Sequence, residues 1–241
     1  MKWWFKALMG VMVAVSGAAQ ANEAVIRKAL AERLPSHFPA IDEVRPSVIP
    51  GLFEVRFGNE IRYTDAKGEY LFEGDLIDLK TRKSLTQERV EKLTAVAFDS
   101  LPFKDALVWK RGNGKQRIAV FADPNCGYCK RFERTLQDLK DVTVYTFLIP
   151  ILGADSRDKS RNIWCAKNNV DSWLGWMLNN KNPERVMASC DEGAIERNLA
   201  FARRHAIHGT PAVIFEDGTR TPGALPLEAL VERITKAEKR S

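Results

Sequence analysis

The stretch DPNCGYCK, residues 123–130, decides the fold of this chain of 241 residues. Residues 118–122, which precede it, form an apolar run with the composition of a buried strand. Phe132, Leu136 and Leu139 follow it at the spacing of one helical face. The sequence therefore predicts that the two cysteines of this stretch lie where a strand ends and a helix begins.

Cys126 is predicted to be the more acidic of the two thiols. The first turn of a helix has unpaired N–H groups and a partial positive charge, and both stabilise an anion. Cys126 should therefore ionise more readily than a free thiol. Cys129, one turn further along, is expected to face inward and to close a disulfide with Cys126. A thiolate that attacks and a second thiol that releases it are the parts needed for thiol–disulfide exchange.

Half of a zinc site is the alternative interpretation of a Cys-x-x-Cys pair. The two remaining cysteines, Cys165 and Cys190, stand singly in the sequence, whereas a four-cysteine zinc site usually has two close pairs. Spacing and the strand–helix context favour redox chemistry over zinc. We therefore expect neither a metal nor a cofactor.

Residues 1–21 have the pattern of a secretory signal. Lys2 and Lys6 lie in a short cationic start, an apolar segment follows, and residues 16–21 end in Ala-x-Ala. We expect cleavage after Ala21 and export to the periplasm. The apolar segment is much shorter than the about 20 residues that span a bilayer, so stable membrane insertion is not expected.

Export also affects how Cys165 and Cys190 are interpreted. In an oxidising compartment, two cysteines far apart in the sequence favour a disulfide. We expect these two to form a structural disulfide, which leaves the Cys126 and Cys129 pair for chemistry.

The composition excludes some classes of function. Hydrophobic residues make up 45% and charged residues 28% of the chain, which is ordinary for a globular protein and disfavours disorder. The formal net charge is +6, but acidic and basic residues are interleaved and no dense basic run carries aromatic residues. Binding to nucleic acid is therefore not expected.

The amino-terminal part is predicted to be a small α+β module over residues 22–83. A helix over 22–34 would place four apolar residues on one face: Val25, Ala29, Leu30 and Leu34. Alternating apolar residues at Phe53, Val55 and Phe57 then begin an antiparallel meander of short strands that continues to Leu79. Such a module is too small to bury much core alone, so an apolar face on it should seek a partner.

A linker helix is predicted next, within residues 84–103. A capping-box pattern begins at Ser84, and one apolar face continues to Leu101 before Pro102. The alternative is that this helix packs fully onto one domain.

The remaining residues, 104–241, are predicted to form a mixed sheet with helices on both faces. A turn over 110–115 resembles a hairpin, and a strand over 142–148 completes a strand–helix–strand unit. Helices are expected over 155–178, with a break at Asn168-Asn169, over Val186–Cys190 and from about residue 191 to His205. Pro211 precedes an apolar strand, a position where its missing N–H is tolerated. A return strand follows, and then a last helix that would place four apolar residues on one face: Leu227, Leu230, Val231 and Ile234.

This arrangement resembles the thioredoxin fold, in which Cys-x-x-Cys begins a helix and a Thr-Pro pair precedes a strand. Further motifs are similar to those of the DsbC-type disulfide isomerases of the thioredoxin superfamily. These motifs are FADPNCGYC at 121–129, IWCAK at 163–167, ASCD at 188–191, GTPAV at 209–213 and FEGDL at 72–76. The resemblance covers nearly all of the chain that follows the predicted signal. It implies a fold of the α+β or α/β class, with a small α+β dimerisation domain and a linker helix before a thioredoxin-fold catalytic domain that carries a helical insertion.

The resemblance implies site residues and partners. Cys126 would be the attacking thiol and Cys129 the resolving one, with substrate contacts from Gly127, Tyr128 and the Thr210-Pro211 segment. It also implies that Pro211 is cis and that Cys165 and Cys190 form a structural disulfide. The implied protein is a V-shaped homodimer that acts on misfolded, disulfide-containing proteins, has accessory chaperone activity and is kept reduced by a DsbD-like membrane reductase.

Two residues depart from the family pattern. Lys130 stands where histidine is common, and as a nearby cation it should still favour the Cys126 thiolate. His208 stands where a small polar residue is usual; it is either a pH-sensitive group beside the disulfide or an exposed loop residue, and the second interpretation is favoured. Two other functions compete with isomerisation: a dithiol oxidase that donates disulfides, and a chaperone-like binding module whose cysteines are incidental.

Overall fold

A computed structural model describes residues 14–187 and 189–239, with side chains described from residue 22 onward. The chain divides into two compact units, one ending at Leu93 and the other beginning at Thr94. This division falls inside the segment predicted as a linker helix. The predicted signal lies mostly outside the described residues. None of the described helices is both long enough and apolar enough to cross a membrane.

The first unit combines two helices with short antiparallel strands. Its elements are α1 (Ala14–Arg33), β1 (Glu43–Pro46), β2 (Leu52–Phe57), β3 (Glu60–Asp65), β4 (Leu71–Phe72), β5 (Ile77–Asp78), β6 (Lys83–Ser84) and α2 (Leu85–Leu93). Strands β1 to β4 form one sheet in sequence order, whereas β5 pairs with β6 in a separate two-stranded sheet. The predicted meander is therefore confirmed through β4 and is wrong beyond it.

The core of this unit lies between α1 and the four-stranded sheet. Phe53, Val55 and Phe57 are buried as their alternation predicts, and they pack with Ile26 of α1. The predicted helix face was wrong at Val25, which is 51% exposed, because the helix presents the adjacent Ile26 to the sheet instead.

The linker helix is shorter than predicted. Helix α2 ends at Leu93, and the chain beyond it is extended or in short 3-10 turns. The predicted helical face ran through Val90, Leu93, Ala97 and Leu101, but Ala97 is exposed, whereas Leu101 is buried together with Val96 and Phe98 in a core of the second unit. The Val96 N–H also donates to the carbonyl of Gly218 at 2.9 Å. Tertiary packing of these apolar residues therefore overrides the helical pattern.

The second unit is built on a five-stranded mixed sheet. Its elements are β7 (Leu107–Arg111), β8 (Gln116–Ala122), α3 (Gly127–Gln137), β9 (Val142–Leu148), α4 (Ala154–Trp164), α5 (Asn169–Asn179), α6 (Gly193–Arg204), β10 (Ala212–Phe215), β11 (Arg220–Pro222) and α7 (Leu227–Glu238). The strand order is β11-β10-β8-β9-β7, and only β8 and β9 run parallel. The predicted strand–helix–strand unit of β8, α3 and β9 is confirmed.

The hairpin-like turn at residues 110–115 joins strands that do not pair with each other. Strand β7 pairs antiparallel with β9, which lies between β7 and β8. The turn residues were recognised correctly, but local turn chemistry does not report which strand becomes the neighbour.

Strand β8 is buried on both faces of the sheet. Val120 faces one core, which contains Phe132 of α3 and Trp173 of α5, whereas Phe121 faces the other, which contains Leu199 of α6. The helices therefore cover both faces, as predicted. On α7, Leu230 and Ile234 are buried, but Leu227 and Val231 of the predicted face are 38% and 46% exposed.

The predicted helix over Val186–Cys190 is wrong, since the described residues of this segment have no regular structure. The Val186 N–H donates to the Asn162 side chain at 3.1 Å, and the Val186 carbonyl accepts from Arg161 at 2.6 Å. Cys190 is bonded to Cys165. These contacts with α4 and its end hold the backbone of the segment and replace the bonds of a helix.

Candidate active site

Cys126 lies at the junction that the sequence predicts. Strand β8 ends at Ala122 and α3 begins at Gly127, so Cys126 is the residue that caps the helix. The Cys126 N–H donates to the carbonyl of Asp123 at 3.1 Å, which closes the turn between strand and helix. The Cys129 N–H donates to the Cys126 sulfur at 3.3 Å, as a capping oxygen would accept it.

The segment before β10 completes the site. The peptide bond between Thr210 and Pro211 is cis, as the resemblance implies. The Cys126 thiol donates to the Thr210 carbonyl at 3.2 Å, across 84 positions of sequence. The register of β10 against β8 pairs Ala212 with Phe121, and this pairing brings the Thr210-Pro211 segment to Cys126.

Hydrogen bonding gives the Cys126 thiol an unusually low pKa of about 5. The hydrogen bond with the Cys129 thiol is the largest cause, and burial acts in the opposite direction. The Thr210 side chain and the backbone N–H groups of Cys129 and Tyr128 lower the pKa further. At neutral pH this sulfur is therefore a thiolate, the form that attacks disulfides.

The two thiols differ strongly in acidity. Burial raises the pKa of the Cys129 thiol far above its ordinary range, and its hydrogen bond with Cys126 raises it further. Cys129 is only 3% exposed and Cys126 only 6%. Both are free cysteines in the structure. The arrangement thus has one sulfur ready to attack and one that holds its proton.

The remaining predicted site residues surround this pair. Gly127 is exposed and the Tyr128 side chain is 63% exposed, so the two residues between the cysteines face solvent. Pro211 is buried and Thr210 is partly exposed. His208 is an exposed residue before the Thr210-Pro211 bond, in line with the favoured interpretation of it as a loop residue.

Lys130 has contacts that the sequence did not indicate. Its ammonium donates to the side-chain oxygen of Asn180 at 2.7 Å and lies 3.6 Å from the ring centroid of Trp176. Burial lowers the pKa of Lys130, and Arg134 and Lys159 add to this effect. The low pKa of Cys126 is explained by the hydrogen bonds at its sulfur and does not need this cation.

Asp123 organises the turn before Cys126, a role that the sequence analysis did not assign. Its fully buried carboxylate accepts from the N–H groups of Asn125, Ile151 and Leu152 and from the Ser156 hydroxyl, at 2.7 to 2.9 Å. The carboxylate therefore joins the turn to the loop after β9. An acidic residue directly after a buried strand was the available signal.

Glu133 is a second functional candidate that the sequence analysis missed. It lies one turn beyond Cys129 on α3 and is 3% exposed. It accepts from the Trp173 indole at 3.0 Å and from Gln137 at 3.4 Å, but burial dominates and raises its pKa to about 7. Its position among the apolar residues of one helix face would have revealed this burial.

Cys165 and Cys190 form a disulfide, with Cα atoms 5.9 Å apart. The bond joins the end of α4 to the irregular segment before α6. Because these two sulfurs are bonded to each other, their thiolates are not available to complete a zinc site with Cys126 and Cys129.

Two family models match the chain and divide it in two. A disulfide bond isomerase N-terminal domain matches residues 17–87, and a thioredoxin-like domain matches residues 103–238. The chain belongs to the DsbC family of thiol:disulfide interchange proteins. The thioredoxin fold and the thiol–disulfide oxidoreductase and isomerase activity of the family follow from this membership.

Individual relatives agree with the family. A probable thiol:disulfide interchange protein DsbC of Bordetella parapertussis is 45% identical over 207 residues, which cover 86% of this chain and 73% of that protein. DsbC of Escherichia coli K12 is 27% identical over 236 residues, 96% of this chain and 95% of that protein. A crystal structure of a disulfide interchange protein from Neisseria gonorrhoeae is 34% identical with a TM-score of 0.53, and the match covers 57% of this chain and 99% of that one.

Proposed function

We propose that this DsbC family member is a periplasmic isomerase that reshuffles non-native disulfides through Cys126 and Cys129. The observation that carries the proposal is that the pKa of the Cys126 thiol is lowered to about 5, whereas that of the Cys129 thiol is raised. A thiolate that is present at neutral pH can begin exchange, while a protonated neighbour does not compete with it.

The reaction begins when the Cys126 thiolate attacks one sulfur of a substrate disulfide. A mixed disulfide forms, and the other substrate sulfur leaves as a thiolate and takes up a proton. In isomerisation, another substrate thiolate attacks the mixed disulfide, forms the new substrate disulfide and returns Cys126 as a thiolate without net redox change. Alternatively, Cys129 loses its proton and attacks Cys126; the Cys126–Cys129 disulfide forms and the substrate gains two electrons.

Substrate is proposed to contact Gly127, Tyr128, Thr210 and Pro211 around the attacking sulfur. The Thr210 carbonyl, which the Cys126 thiol contacts at 3.2 Å, supports this because a backbone acceptor at this place can pair with an extended substrate chain. Exposed apolar side chains nearby support a polypeptide substrate. The loop that Asp123 holds carries Ile151 and Leu152, which are 39% and 55% exposed.

Isomerisation requires that Cys126 and Cys129 stay reduced in an oxidising compartment. We propose a DsbD-like membrane reductase as the electron donor and cleavage of the signal after Ala21 as the route to the periplasm. Accessory chaperone activity is also proposed, since misfolded substrates expose apolar surface that the exposed residues around Cys126 would bind.

Refolding of a scrambled multi-disulfide protein tests the activity. Reduced wild-type protein is expected to restore native disulfides, and Cys126→Ala to lose this activity by a factor of at least about 10³, since the nucleophile is gone. Cys165→Ala with Cys190→Ala serves as the control that removes two other sulfurs. The same Cys126→Ala variant should still suppress aggregation. Equal refolding by wild type and Cys126→Ala would contradict the proposal.

A dithiol oxidase is the second candidate, and the low pKa of Cys126 favours it, because a stabilised thiolate makes the reduced form more stable and the disulfide more oxidising. An oxidase would transfer its disulfide to a fully reduced substrate and would not repair a scrambled one. Testing both substrates with both redox forms of the protein separates the two functions.

The first unit is proposed to form a homodimer through β4. Within the described residues, β4 pairs with β3 on one side only, and its Phe72 side chain is 53% exposed. An edge strand with an exposed aromatic residue is suited to pairing with another chain.

Light scattering is expected to show that the wild-type protein is a dimer and that Phe72→Asp dissociates it. Val48→Asp, also at an exposed position, is expected to leave the dimer intact. A wild-type monomer would contradict the proposal.

A further inference from the structure

The indole of Trp176, on α5, contacts both flanks of the Cys126–Cys129 segment. Its N–H donates to the carbonyl of Pro124, two residues before Cys126, at 2.6 Å. The Lys130 ammonium, directly after Cys129, lies 3.6 Å from the centroid of its ring. One half-buried side chain of α5 therefore joins the turn before Cys126 to the first turn of α3.

Neighbouring polar groups hold both contacts in place. Lys130 also donates to Asn180, the residue in left-handed conformation that ends α5. The Lys159 ammonium of α4 also lies 4.8 Å from the ring centroid and pairs with Asp155. Asp155 in turn accepts from the Asn125 side chain at 2.6 Å, inside the same turn. The indole is thus part of a continuous set of contacts around the turn.

The geometry of this turn determines where the Cys126 sulfur lies. Its closing bond runs from the Cys126 N–H to the Asp123 carbonyl, and Pro124 contributes no N–H of its own to hold the turn. Pro124 is buried, so its carbonyl needs a donor from the protein. The Trp176 indole is that donor. A shift of the turn would also move the sulfur relative to the Cys129 N–H and to Thr210, which contact it at 3.3 and 3.2 Å.

We propose that Trp176 is a positioning residue for thiol–disulfide exchange, which holds the turn before Cys126 and the helix after Cys129 in one fixed arrangement. The inference deepens the proposed function and rests on Cys126 as the attacking thiol. Trp176 acts through the backbone that carries the reacting sulfur. A charged side chain over the indole face adds a favourable cation–π contact to the N–H bond.

Trp176→Phe tests this role, because it keeps a ring beneath Lys130 and removes the N–H that holds Pro124. Trp164→Phe is the matched control, since the Trp164 indole also donates to a backbone carbonyl, that of Asp191, at 2.9 Å. The titration of thiolate ultraviolet absorbance and the rate of alkylation at mildly acidic pH are measured for both variants.

In Trp176→Phe, the thiolate titration of Cys126 is expected to move to higher pH and alkylation to slow by about tenfold, the effect of one lost hydrogen bond. Trp164→Phe should match wild type in both measurements. Unchanged titration in both variants, or equal shifts in both, would overturn the proposal. A melting temperature equal to that of the control excludes general loosening as the cause of the shift.

Should Trp176→Phe fail to fold, indole N–H resonances of wild-type protein replace the variant. The Trp176 resonance is expected to shift between reduced and oxidised protein and the Trp164 resonance to stay in place; no difference between the two would overturn the proposal. The readouts at the sulfur are independent of refolding assays. If Trp176→Phe shifts the Cys126 titration but the wild-type protein has no isomerase activity, the proposed function is contradicted and the positioning role of Trp176 is retained.

Discussion

Replacing Cys129 by alanine is expected to raise the pKa of the Cys126 thiol from about 5 by at least about one unit. The hydrogen bond with the Cys129 thiol is the largest cause of the low value, and alanine has no donor. Cys129→Ser supplies a hydroxyl donor at the same place and should keep the pKa close to that of the wild type. The midpoint of thiolate absorbance against pH measures the effect directly.

Functional consequences follow from the same pair of variants. At mildly acidic pH, Cys129→Ala should react with an alkylating agent about tenfold more slowly than Cys129→Ser, because less of Cys126 is ionised. Cys126→Ser, which keeps only the thiol with the raised pKa, shows that the observed titration belongs to Cys126. Identical midpoints for alanine and serine at position 129 would show that the backbone N–H groups and Thr210 are sufficient.

Glu133→Gln is expected to stabilise the protein above neutral pH by about 3 kcal/mol. Burial raises the pKa of the Glu133 carboxyl from 4.5 to about 7, so the folded state binds its proton more tightly than the unfolded state. This group therefore does not change the free energy of unfolding below about pH 4.5. Ionisation of the carboxyl lowers that free energy as the pH rises from about 4.5 toward about 7. One pKa unit corresponds to about 1.4 kcal/mol, and the shift spans about 2.5 units.

Denaturant unfolding across this pH range measures the effect, with the difference between variant and wild type as the quantity of interest. The low pKa of Cys126 stabilises the reduced protein as the pH rises above about 5, in the opposite direction, so both proteins should carry Cys126→Ala and Cys129→Ala. His205, whose pKa is lowered by burial, contributes equally to both and cancels. Glu196→Gln, which changes an exposed glutamate paired with Arg157, is the control. Parallel curves with and without Glu133→Gln in this background would contradict the prediction.

Much of the fold could be predicted because its signals are local. The apolar run of β8, the helical spacing of Phe132 and Leu136 and the proline before β10 each identify an element from a few neighbouring residues. The predictions failed where an apolar residue found a distant partner. Leu101 continues the helical spacing of Leu93 and Ala97, yet it packs with Val96 and Phe98 into a core of the second unit beyond the end of α2. The backbone of Val186 bonds to side chains of α4 instead of forming a helix.

The same distinction applies to the site. The position of Cys126 and Cys129 at a strand–helix junction was predictable, since the apolar run before them and the helical spacing after them are both visible in the sequence. The partners that tune and hold the thiol were not. Thr210 reaches Cys126 through the pairing of β10 with β8, and Trp176 reaches Pro124 from α5, 52 positions along the chain.

By itself, the sequence determined the chemistry of this protein: two thiols at a strand–helix junction and a family that exchanges disulfides with such a pair. Only the tertiary structure decided how the two thiols differ and what holds them, because acidity depends on burial and on donors brought from distant segments. The carboxyls of Asp123 and Glu133 illustrate the reason. Both lie within ten positions of the cysteines, yet the Asp123 carboxylate accepts four hydrogen bonds, whereas burial raises the pKa of the Glu133 carboxyl to about 7.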